Sequence, residues 1–372
     1  GGLMSPGADI RIMMTTDTVG GVWTYSCALA GSLAAAGADV TLVTLGPRAR
    51  IDQRQMLRGT RVNLVETDLA LEWQDPEGQN VSDARRVLTK LETRLKPGIV
   101  HLNSFREATF AWHAPTVLVA HSCVNSWALA CHDTSWLGEP RWRRYSERVA
   151  AALDAAQAWV CPSQAFHEDM TAIYSPRSRG AVIWNGITPP DPTGRKQDLI
   201  FSAGRLWDRA KNVEALAAAA PGLDWPVEIA GPIDARLSTG VTWLGELPHE
   251  AMAARLQHAA IFVSPAFYEP FGLSVLEAAA AGCALVLSDI PTFRELWREA
   301  ALFFDPTDRD ALHQTLADLC ADDAARARLQ RAAYEQSLTY SLMRMTSAYL
   351  GLYQDLIASS GKTAPSQIEV RA

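Results

Sequence analysis

Two glutamates, Glu269 and Glu277, stand in a pattern that suits the binding of a phosphorylated polyol. An apolar run at residues 260–263 predicts a buried parallel strand, and residues 273–282 predict the helix that follows it. Glu269 then lies on the loop at the carboxyl end of the strand, where open α/β sheets bind ligands. The backbone N–H groups that begin the helix form a site for phosphate. These groups belong to Phe271, Gly272, Leu273 and Ser274.

Glu277 is followed by four alanines, which predict a helix that is apolar nearly all round and therefore buried. A buried glutamate requires a partner or a ligand. This favours a functional Glu277 over a solvated surface residue, the more usual interpretation of two isolated glutamates. A carboxylate for hydroxyl groups, an anion site and a second carboxylate together fit a sugar, a diphosphate and a ribose.

A basic loop follows the predicted strand at residues 199–201 and contains Arg205, Arg209 and Lys211. An arginine and a lysine on such a loop neutralise a diphosphate through charge-assisted hydrogen bonds, each contributing about 1.5–3 kcal/mol. A solvated basic loop is the alternative interpretation, and it is the weaker one beside the two glutamates.

The segment from Glu269 to Ser288 resembles the signature of the retaining glycosyltransferases of family 4 (GT4), and further motifs extend the resemblance over most of the chain. The resemblance implies the GT-B fold, an α/β architecture of two Rossmann-like, doubly wound domains that face a central cleft. It implies a nucleoside-diphosphate sugar as donor, UDP- or GDP-linked, with no cofactor and no metal. Attack on the same face, with the leaving phosphate taking the proton of the acceptor, requires no protein nucleophile.

The resemblance also implies roles for the residues above. Glu269 holds hydroxyl groups of the donor sugar, Glu277 holds the ribose diol, and Arg205 and Lys211 grip the phosphates. These two cations are separated by one residue more than in the commonest version of the motif, with Arg209 between them. Which cation contacts which phosphate therefore stays open.

Gly20 and Gly21 follow the first predicted strand, and paired glycines let a backbone approach a phosphate or a sugar. The loop is not a G-x-G-x-x-G motif, which weakens a dinucleotide-dehydrogenase interpretation. It resembles the glycine loop that faces the donor in the GT4 family, and a structural turn is the alternative.

The other candidates also follow predicted strands or begin a linker. His121 resembles the family histidine that contacts the donor sugar near the reacting carbon, so the candidate catalytic residues are His121, Glu269, Arg205 and Lys211. Asn185 begins a segment that resembles the family's Asn-Gly-Val-Asp linker motif, although Thr188 replaces the usual acid. Gly231 and Leu247 lie in segments that resemble the lining of the nucleobase and ribose pocket.

The composition limits the class of protein. A chain of 372 residues predicts two domains, and a net charge of −7 argues against nucleic acid as a partner. No apolar run approaches the ~20 residues of a membrane helix and no secretory signal is visible, which predicts a cytoplasmic protein. Six scattered cysteines predict reduced thiols. Asp308 and Asp310 begin a predicted helix, where acids favour the helix dipole, so we expect no metal there.

Short β-branched runs alternate with helical stretches, which predicts parallel sheets. We expect domains at residues 1–188 and 189–340, joined by a proline-rich linker, and the resemblance implies that the N-terminal domain binds the acceptor and the second domain the donor. The resemblance to the GT4 family implies that residues 341–372 begin with a helix that returns to the first domain through Tyr349, Tyr353 and Leu356, and we expect a loose tail at 363–372. The predicted strands are residues 10–14, 40–43, 62–65, 99–102, 117–120, 159–161, 182–184, 199–201, 227–229, 261–264, 285–287 and 302–304.

Four tryptophans lie close together in the first half of the sequence, and we expect each to be core, although aromatic faces also stack on sugars or apolar acceptors. They are Trp112, Trp127, Trp136 and Trp142, and Trp23 follows the glycine loop. The nearby arginines, from Arg141 to Arg148, predict a solvated helix face, with an anionic acceptor or membrane headgroups as the alternative.

Two other functions stay open beside transfer. A nucleotide-sugar 2-epimerase on the same fold binds the same donor but needs no acceptor, and a catalytically silent binder retains the nucleotide without turnover. The acceptor itself is a saccharide, a lipid or a small molecule. A peripheral membrane contact and the choice between monomer and homodimer also stay open.

Overall fold

The computed structural model describes Gly7 and residues 10–191, 195–232 and 240–360. The chain forms two compact units: unit 1 consists of Gly1–Ala128, Asp133–Gly186 and Leu342–Ala372, and unit 2 of Leu129–His132 and Ile187–Ser341. The expected tail at 363–372 and residues 192–194 of the expected linker lie outside the described residues.

Unit 1 contains a parallel sheet of seven strands within the described residues, in the order β3-β2-β1-β4-β5-β6-β7. Strands β4, β5 and β6 are buried at every position, as expected for a parallel sheet with helices on both faces. The strands are β1 Arg11–Asp17, β2 Asp39–Leu45, β3 Asn63–Glu66, β4 Ile99–Leu102, β5 Thr116–Val119, β6 Ala158–Cys161 and β7 Ala181–Val182.

The first helix begins directly after Gly20, whose φ of 70° lies in the left-handed region, and Gly37 follows its end with a φ of 102°. Both angles suit glycine because it has no Cβ. The helices are α1 Gly21–Ala35, α2 Ile51–Gln55, α3 Val81–Leu95, α4 Val124–Ala130, α5 Pro140–Ala155 and α6 Gln164–Tyr174.

Unit 2 contains a parallel sheet of six strands within the described residues, in the order β10-β9-β8-β11-β12-β13. Its strands are β8 Gln197–Ala203, β9 Val227–Ala230, β10 Thr242–Gly245, β11 Ala259–Ser264, β12 Ala284–Ser288 and β13 Ala301–Phe304. Its helices are α7 Val213–Ala219, α8 His249–His258, α9 Leu273–Ala280, α10 Pro291–Trp297, α11 Arg309–Ala321 and α12 Asp323–Ser337.

The last helix, α13 Leu342–Ser360, belongs to unit 1 and packs against α1. Tyr349, Tyr353 and Leu356 are buried. The hydroxyl of Tyr25 on α1 donates to that of Tyr349 at 3.1 Å, and the hydroxyl of Tyr353 lies 2.6 Å from Nδ1 of His101. Buried polar groups are thus paired where this helix docks.

The predicted α/β class with two doubly wound parallel sheets is confirmed, but the sequence analysis missed strand β10. This strand lies at the edge of its sheet and is half-exposed, so it lacks the continuous apolar run of a buried strand. All six cysteines are free thiols, as predicted. Within residues 10–360, as far as these are described, no helix has the length and apolar character needed to cross a bilayer.

Candidate active site

The candidate residues of unit 2 lie at the carboxyl edge of its sheet, where the strand order reverses. Strand β8 is first in the sequence of this unit, and its two neighbours are β9 on one side and β11 on the other. Ile200 pairs with Ile261 in the parallel register of β8 and β11. The loops that leave these two strands therefore diverge from one crevice, the place at which open α/β sheets bind ligands.

Lys211 and Glu269 meet in this crevice, although 58 residues separate them in the sequence. The Lys211 ammonium donates to Oε1 of Glu269 at 2.5 Å, and the two side chains are 26% and 17% exposed. A contact this close between partly buried, opposite charges fixes both side chains. The pair presents an ammonium and a carboxylate side by side to the crevice.

Arg205 lies on the same loop and is held by Asp208. Its Nη2 lies 3.3 Å from Oδ2 of Asp208, and the arginine side chain is 39% exposed. The other oxygen of Asp208 accepts the N–H of Ala210 at 3.0 Å, which begins a short 3-10 turn, Arg209–Lys211. Asp208 therefore positions Arg205 and the turn that carries Lys211, a role that the sequence analysis did not assign.

Asn212 was also missed, and it holds three loops together. Its backbone is left-handed, with a φ of 51°, and its amide nitrogen donates to the carbonyl groups of Pro265 at 2.8 Å and Pro306 at 3.0 Å. The available signal was an asparagine directly after Lys211, because asparagine tolerates the left-handed region better than most residues.

Gly231 allows the loops after β8 and β9 to touch. Its φ is 145°, and a Cβ at this position would lie 2.0 Å from the carbonyl oxygen of Gly204. Its N–H donates to the carbonyl of Gly245 at the end of β10 at 2.8 Å. Leu247 follows two residues later and is half-buried. Any side chain at position 231 would separate these loops.

Helix α9 begins at the crevice after Gly272, whose φ is 90°. The N–H groups of Leu273 and Ser274 donate to no acceptor in the described part of the chain, so they stay available to an anion. The ring of Phe271 is buried and packs edge-on against Tyr340, with centroids 6.0 Å apart. Phe271 is therefore a candidate for its backbone N–H group and not for its side chain.

Glu277 lies one turn further along α9 and is half-buried between the buried Leu276 and Ala278. Its carboxylate has no hydrogen-bond or ion-pair partner among the residues that the structure describes. Burial raises the pKa of this carboxyl group to about 7. A carboxylate kept partly dry and without a partner is suited to accept hydroxyl groups from a ligand.

Unit 1 carries the other candidates, and its sheet also reverses order, between β1 and β4. Gly20 and Gly21 are exposed at the start of α1, directly after β1. Asn185 follows β7 and is 5% exposed, and its side-chain amide has no hydrogen-bond partner in the described part of the chain. Glycine at position 20 is required by its φ of 70°, not by crowding, since a Cβ there would meet nothing within 4 Å.

His121 follows β5 and is oriented by Asn103, which follows β4. The Nδ2 atom of Asn103 donates to the carbonyl of Thr15 at 2.8 Å, and its Oδ1 lies 2.8 Å from Nε2 of His121. A carbonyl only accepts, so the amide nitrogen must face Thr15 and the amide oxygen must face the imidazole. Nε2 of His121 therefore carries the proton, and Nδ1 is left as an acceptor.

Burial lowers the pKa of His121 to about 3, so the imidazole is neutral. The ring of Tyr25 packs edge-on against it with centroids 4.5 Å apart. Among the described residues, Nε2 is the one ring atom of His121 that has a hydrogen-bond partner, and Nδ1 has none. Asn103 is thus a positioning residue that the sequence analysis missed, and its signal was a polar residue at a strand's carboxyl end.

The acidic pair after β13 acts as a helix start, as predicted. Oδ1 of Asp308 accepts the N–H of Ala311 at 2.9 Å and caps α11. Among the described residues, no group of three or more His, Cys, Asp or Glu side chains could hold a metal ion.

None of the four neighbouring tryptophans is buried in the core, contrary to the prediction, since Trp112 is half-buried as well. Trp127, Trp136 and Trp142 are half-buried and line a pocket of about 540 Å3 in unit 1, whereas Trp23 is buried as expected. Trp127 lies on α4, Trp136 on a 3-10 turn and Trp142 near the start of α5. A cavity of about 790 Å3 in unit 2 contacts Asp208 and Arg209 but neither glutamate.

Comparisons with known proteins agree with this architecture. Residues 19–189 match the family model described as Glycosyltransferase Family 4, and residues 190–336 match the model described as Glycosyl transferases group 1. Glycogen synthase of Mycobacterium tuberculosis is 26% identical over 93% of this chain and 93% of its own length.

Two solved structures have a similar fold, but their sequence identity to this chain is low, so they support the fold alone. Sucrose-phosphate synthase from Thermosynechococcus elongatus superposes with a TM-score of 0.76 at 18% identity, covering 94% of this chain and 100% of that one. The Anabaena protein Alr3699/HepE in complex with UDP-glucose gives a TM-score of 0.70 at 15% identity, covering 93% and 100%. The chain has the GT-B fold.

Proposed function

The chain belongs to glycosyltransferase family 4, and we propose that it transfers a sugar, with retention of configuration, from a UDP- or GDP-linked donor to a hydroxyl acceptor, without a metal ion. It is a glycosyltransferase that uses a nucleotide-sugar donor. The donor nucleotide, the retained stereochemistry of the product and the roles of individual residues are parts of the proposal.

The observation that carries the proposal is the row of groups along the carboxyl edge of the second sheet. The Lys211–Glu269 pair, the open N–H groups of α9 and the unpartnered carboxylate of Glu277 follow strands β8 and β11, which are neighbours in the sheet. In the proposal, Glu269 accepts hydroxyl groups of the donor sugar and Glu277 accepts the ribose diol. Gly231 and Leu247 border the nucleobase and ribose.

The proposed role of these groups follows from where negative charge develops during the transfer. The acceptor oxygen bonds to the anomeric carbon while the bond from that carbon to the diphosphate oxygen breaks, and the departing phosphate takes the acceptor's proton. Negative charge on the diphosphate is stabilised by Arg205, Lys211 and the N–H groups of Phe271, Gly272, Leu273 and Ser274. Asp208 and Glu269 hold the two cations before the reaction, so little reorganisation is needed as charge builds.

In unit 1 we assign Gly20 and Gly21 to the approach of the backbone to the donor, and His121 to contact with the donor sugar. A neutral imidazole with Nδ1 as its open acceptor suits a sugar hydroxyl. Asn185 offers an amide without an internal partner, which suits a polar contact to the same ligand.

The first test is the stability of the protein in the presence of UDP, GDP, ADP and their sugar derivatives. A ligand present at 100 times its Kd adds about 2.7 kcal/mol, so a matched nucleotide raises the melting temperature by several degrees. Lys211→Ala and Arg205→Ala are each expected to lower the kcat of donor cleavage tenfold to a hundredfold, from the loss of about 1.5–3 kcal/mol. Lys90→Ala, an exposed substitution on α3, is the control.

No shift with any nucleotide would refute the donor assignment, and normal turnover in both variants would refute the phosphate contacts. Both matched family models describe transferases, which favours transfer over the 2-epimerase considered from the sequence. Measuring whether the sugar of the donor changes in the absence of an acceptor separates the two reactions.

A further inference from the structure

The pocket in unit 1 has aromatic walls that nothing in the proposed donor site uses. Its volume of about 540 Å3 falls within the roughly 300–1,000 Å3 of pockets that hold small molecules. It extends from the carboxyl ends of β1, β4 and β5, where Asp17, Asn103 and His121 lie, to the tryptophans of α4 and α5.

Four indole rings and a phenol form the walls. The ring centroids of Trp127 and Trp136 are 6.2 Å apart, those of Trp136 and Trp142 are 5.1 Å apart, and those of Trp142 and Tyr145 are 6.0 Å apart. Trp73 adds a fourth indole that is 66% exposed. Contiguous exposed aromatic surface marks a binding site, because covering it removes apolar area from water.

Much of the polar lining is already paired within the protein. Asn103 bonds to Thr15 and His121, the hydroxyl of Ser104 donates to Glu107 at 2.6 Å, and Nε of Arg148 donates to Glu72 at 3.1 Å. A saccharide brings many hydroxyl groups, and each one buried without a partner costs about 1–3 kcal/mol. This lining therefore suits a ligand with an apolar body and few hydroxyl groups.

The charges of the lining balance. The lining contains two carboxylates, Asp17 and Glu72, and two guanidinium groups, Arg141 and Arg148, and the imidazole of His121 is neutral. Arg141 lies over the ring of Trp142, with its Cζ 4.8 Å from the centroid, and contacts Glu139 at 3.6 Å. A lining with no net charge favours an uncharged ligand over an anionic lipid headgroup.

We propose that this pocket binds the acceptor, and that the acceptor is an uncharged alcohol whose body is an apolar ring system. The inference rests on the proposed function, which assigns His121 to contact with the donor sugar. The acceptor's hydroxyl then lies beside His121, and its rings pack between Trp136, Trp142 and Trp73. Transfer joins the sugar to that hydroxyl oxygen, and the proton leaves with the diphosphate.

The test is calorimetric titration of the full chain, with bound nucleotide, against two sets of probes. Estradiol, naringenin and 4-nitrobenzyl alcohol represent uncharged ring alcohols, and maltose, mannobiose and trehalose represent saccharides. At least one ring alcohol is expected to bind at least tenfold more tightly than any of the saccharides, and to become glycosylated when the matched nucleotide sugar replaces the bare nucleotide.

Substitutions in the aromatic walls test whether the ring alcohol binds in this pocket. Trp136→Ala is expected to weaken the ring alcohol at least tenfold, whereas Trp136→Phe, which keeps a ring, weakens it less. Met343→Ala, which removes a 78% exposed apolar side chain of unit 1 outside this pocket, is the control and is expected to have no effect. Nucleotide binding by unit 2 reports that each variant is folded.

The outcomes separate the two proposals. Nucleotide binding without binding of any ring alcohol, or tighter binding of a saccharide, overturns the inference and leaves the proposed function intact. Unchanged affinity of the ring alcohol in Trp136→Ala also overturns it. Failure of every nucleotide to bind refutes the proposed function itself.

Discussion

The raised pKa of Glu277 predicts that nucleotide binding depends on pH in a way that one substitution abolishes. With a pKa of about 7, about one tenth of these carboxyl groups are ionised at pH 6 and about nine tenths at pH 8. If the ionised form accepts the ribose diol, the affinity for the matched nucleotide falls about tenfold from pH 8 to pH 6, or about 1.4 kcal/mol. Glu277→Gln is expected to lack this change.

Calorimetric Kd values across this pH range, for the wild type and for Glu277→Gln, measure the effect. The phosphates of the nucleotide also titrate, but equally for both proteins, so the ratio of their Kd values isolates residue 277. Glu250→Gln, an exposed substitution on α8, is the control for the loss of one charge. A ratio that stays constant between pH 6 and pH 8 would refute the role given to Glu277.

The same shift has a consequence for the stability of the protein without ligand. Folding raises the pKa of this carboxyl from 4.5 to about 7, so ionisation destabilises the folded state as pH rises through this window, and the penalty is complete above it. The full difference corresponds to about 3 kcal/mol, and solvent screening of a half-buried group reduces it to about 1–3 kcal/mol. Glu277→Gln should therefore raise the free energy of unfolding at pH 8 and have little effect near pH 4.5; lower stability at pH 8 would contradict this reasoning.

Three further substitutions test the parts of the site separately. Glu269→Gln removes a negative charge 2.5 Å from Lys211, so the bare nucleoside diphosphate should bind a few times more tightly. The kcat of transfer should nevertheless fall at least tenfold. A loss of both nucleotide affinity and kcat would contradict the assignment. Gly231→Ala should destabilise unit 2 by at least about 1–3 kcal/mol in thermal unfolding, whereas Gly351→Ala, a helical glycine with open space around it, should stabilise by about 0.5–1 kcal/mol. Asn103→Ala should release the Nε2–H tautomer of His121, seen as a change in its ¹⁵N shifts, and raise the KM for the donor; unchanged shifts would refute the positioning role.

The fold class followed from the sequence because local patterns carry it. Apolar runs such as residues 261–264, alternating with helical stretches, indicate parallel strands joined by crossover helices. Gly272 before a helix, with Glu269 ahead of it and Glu277 within it, also has a local signature, since helix starts depend on neighbouring residues. The edge strand β10 was not predicted, because a half-exposed strand lacks a continuous apolar run.

Tertiary structure alone decided which of these residues meet. The contact between Lys211 and Glu269 depends on β8 and β11 being neighbours, and strand order is set by packing across the whole sheet. The proton on Nε2 of His121 depends on a carbonyl of β1 that orients Asn103. Whether Trp136 fills a core or lines a pocket depends on which surfaces lie around it, because an indole ring buries equally well in either place.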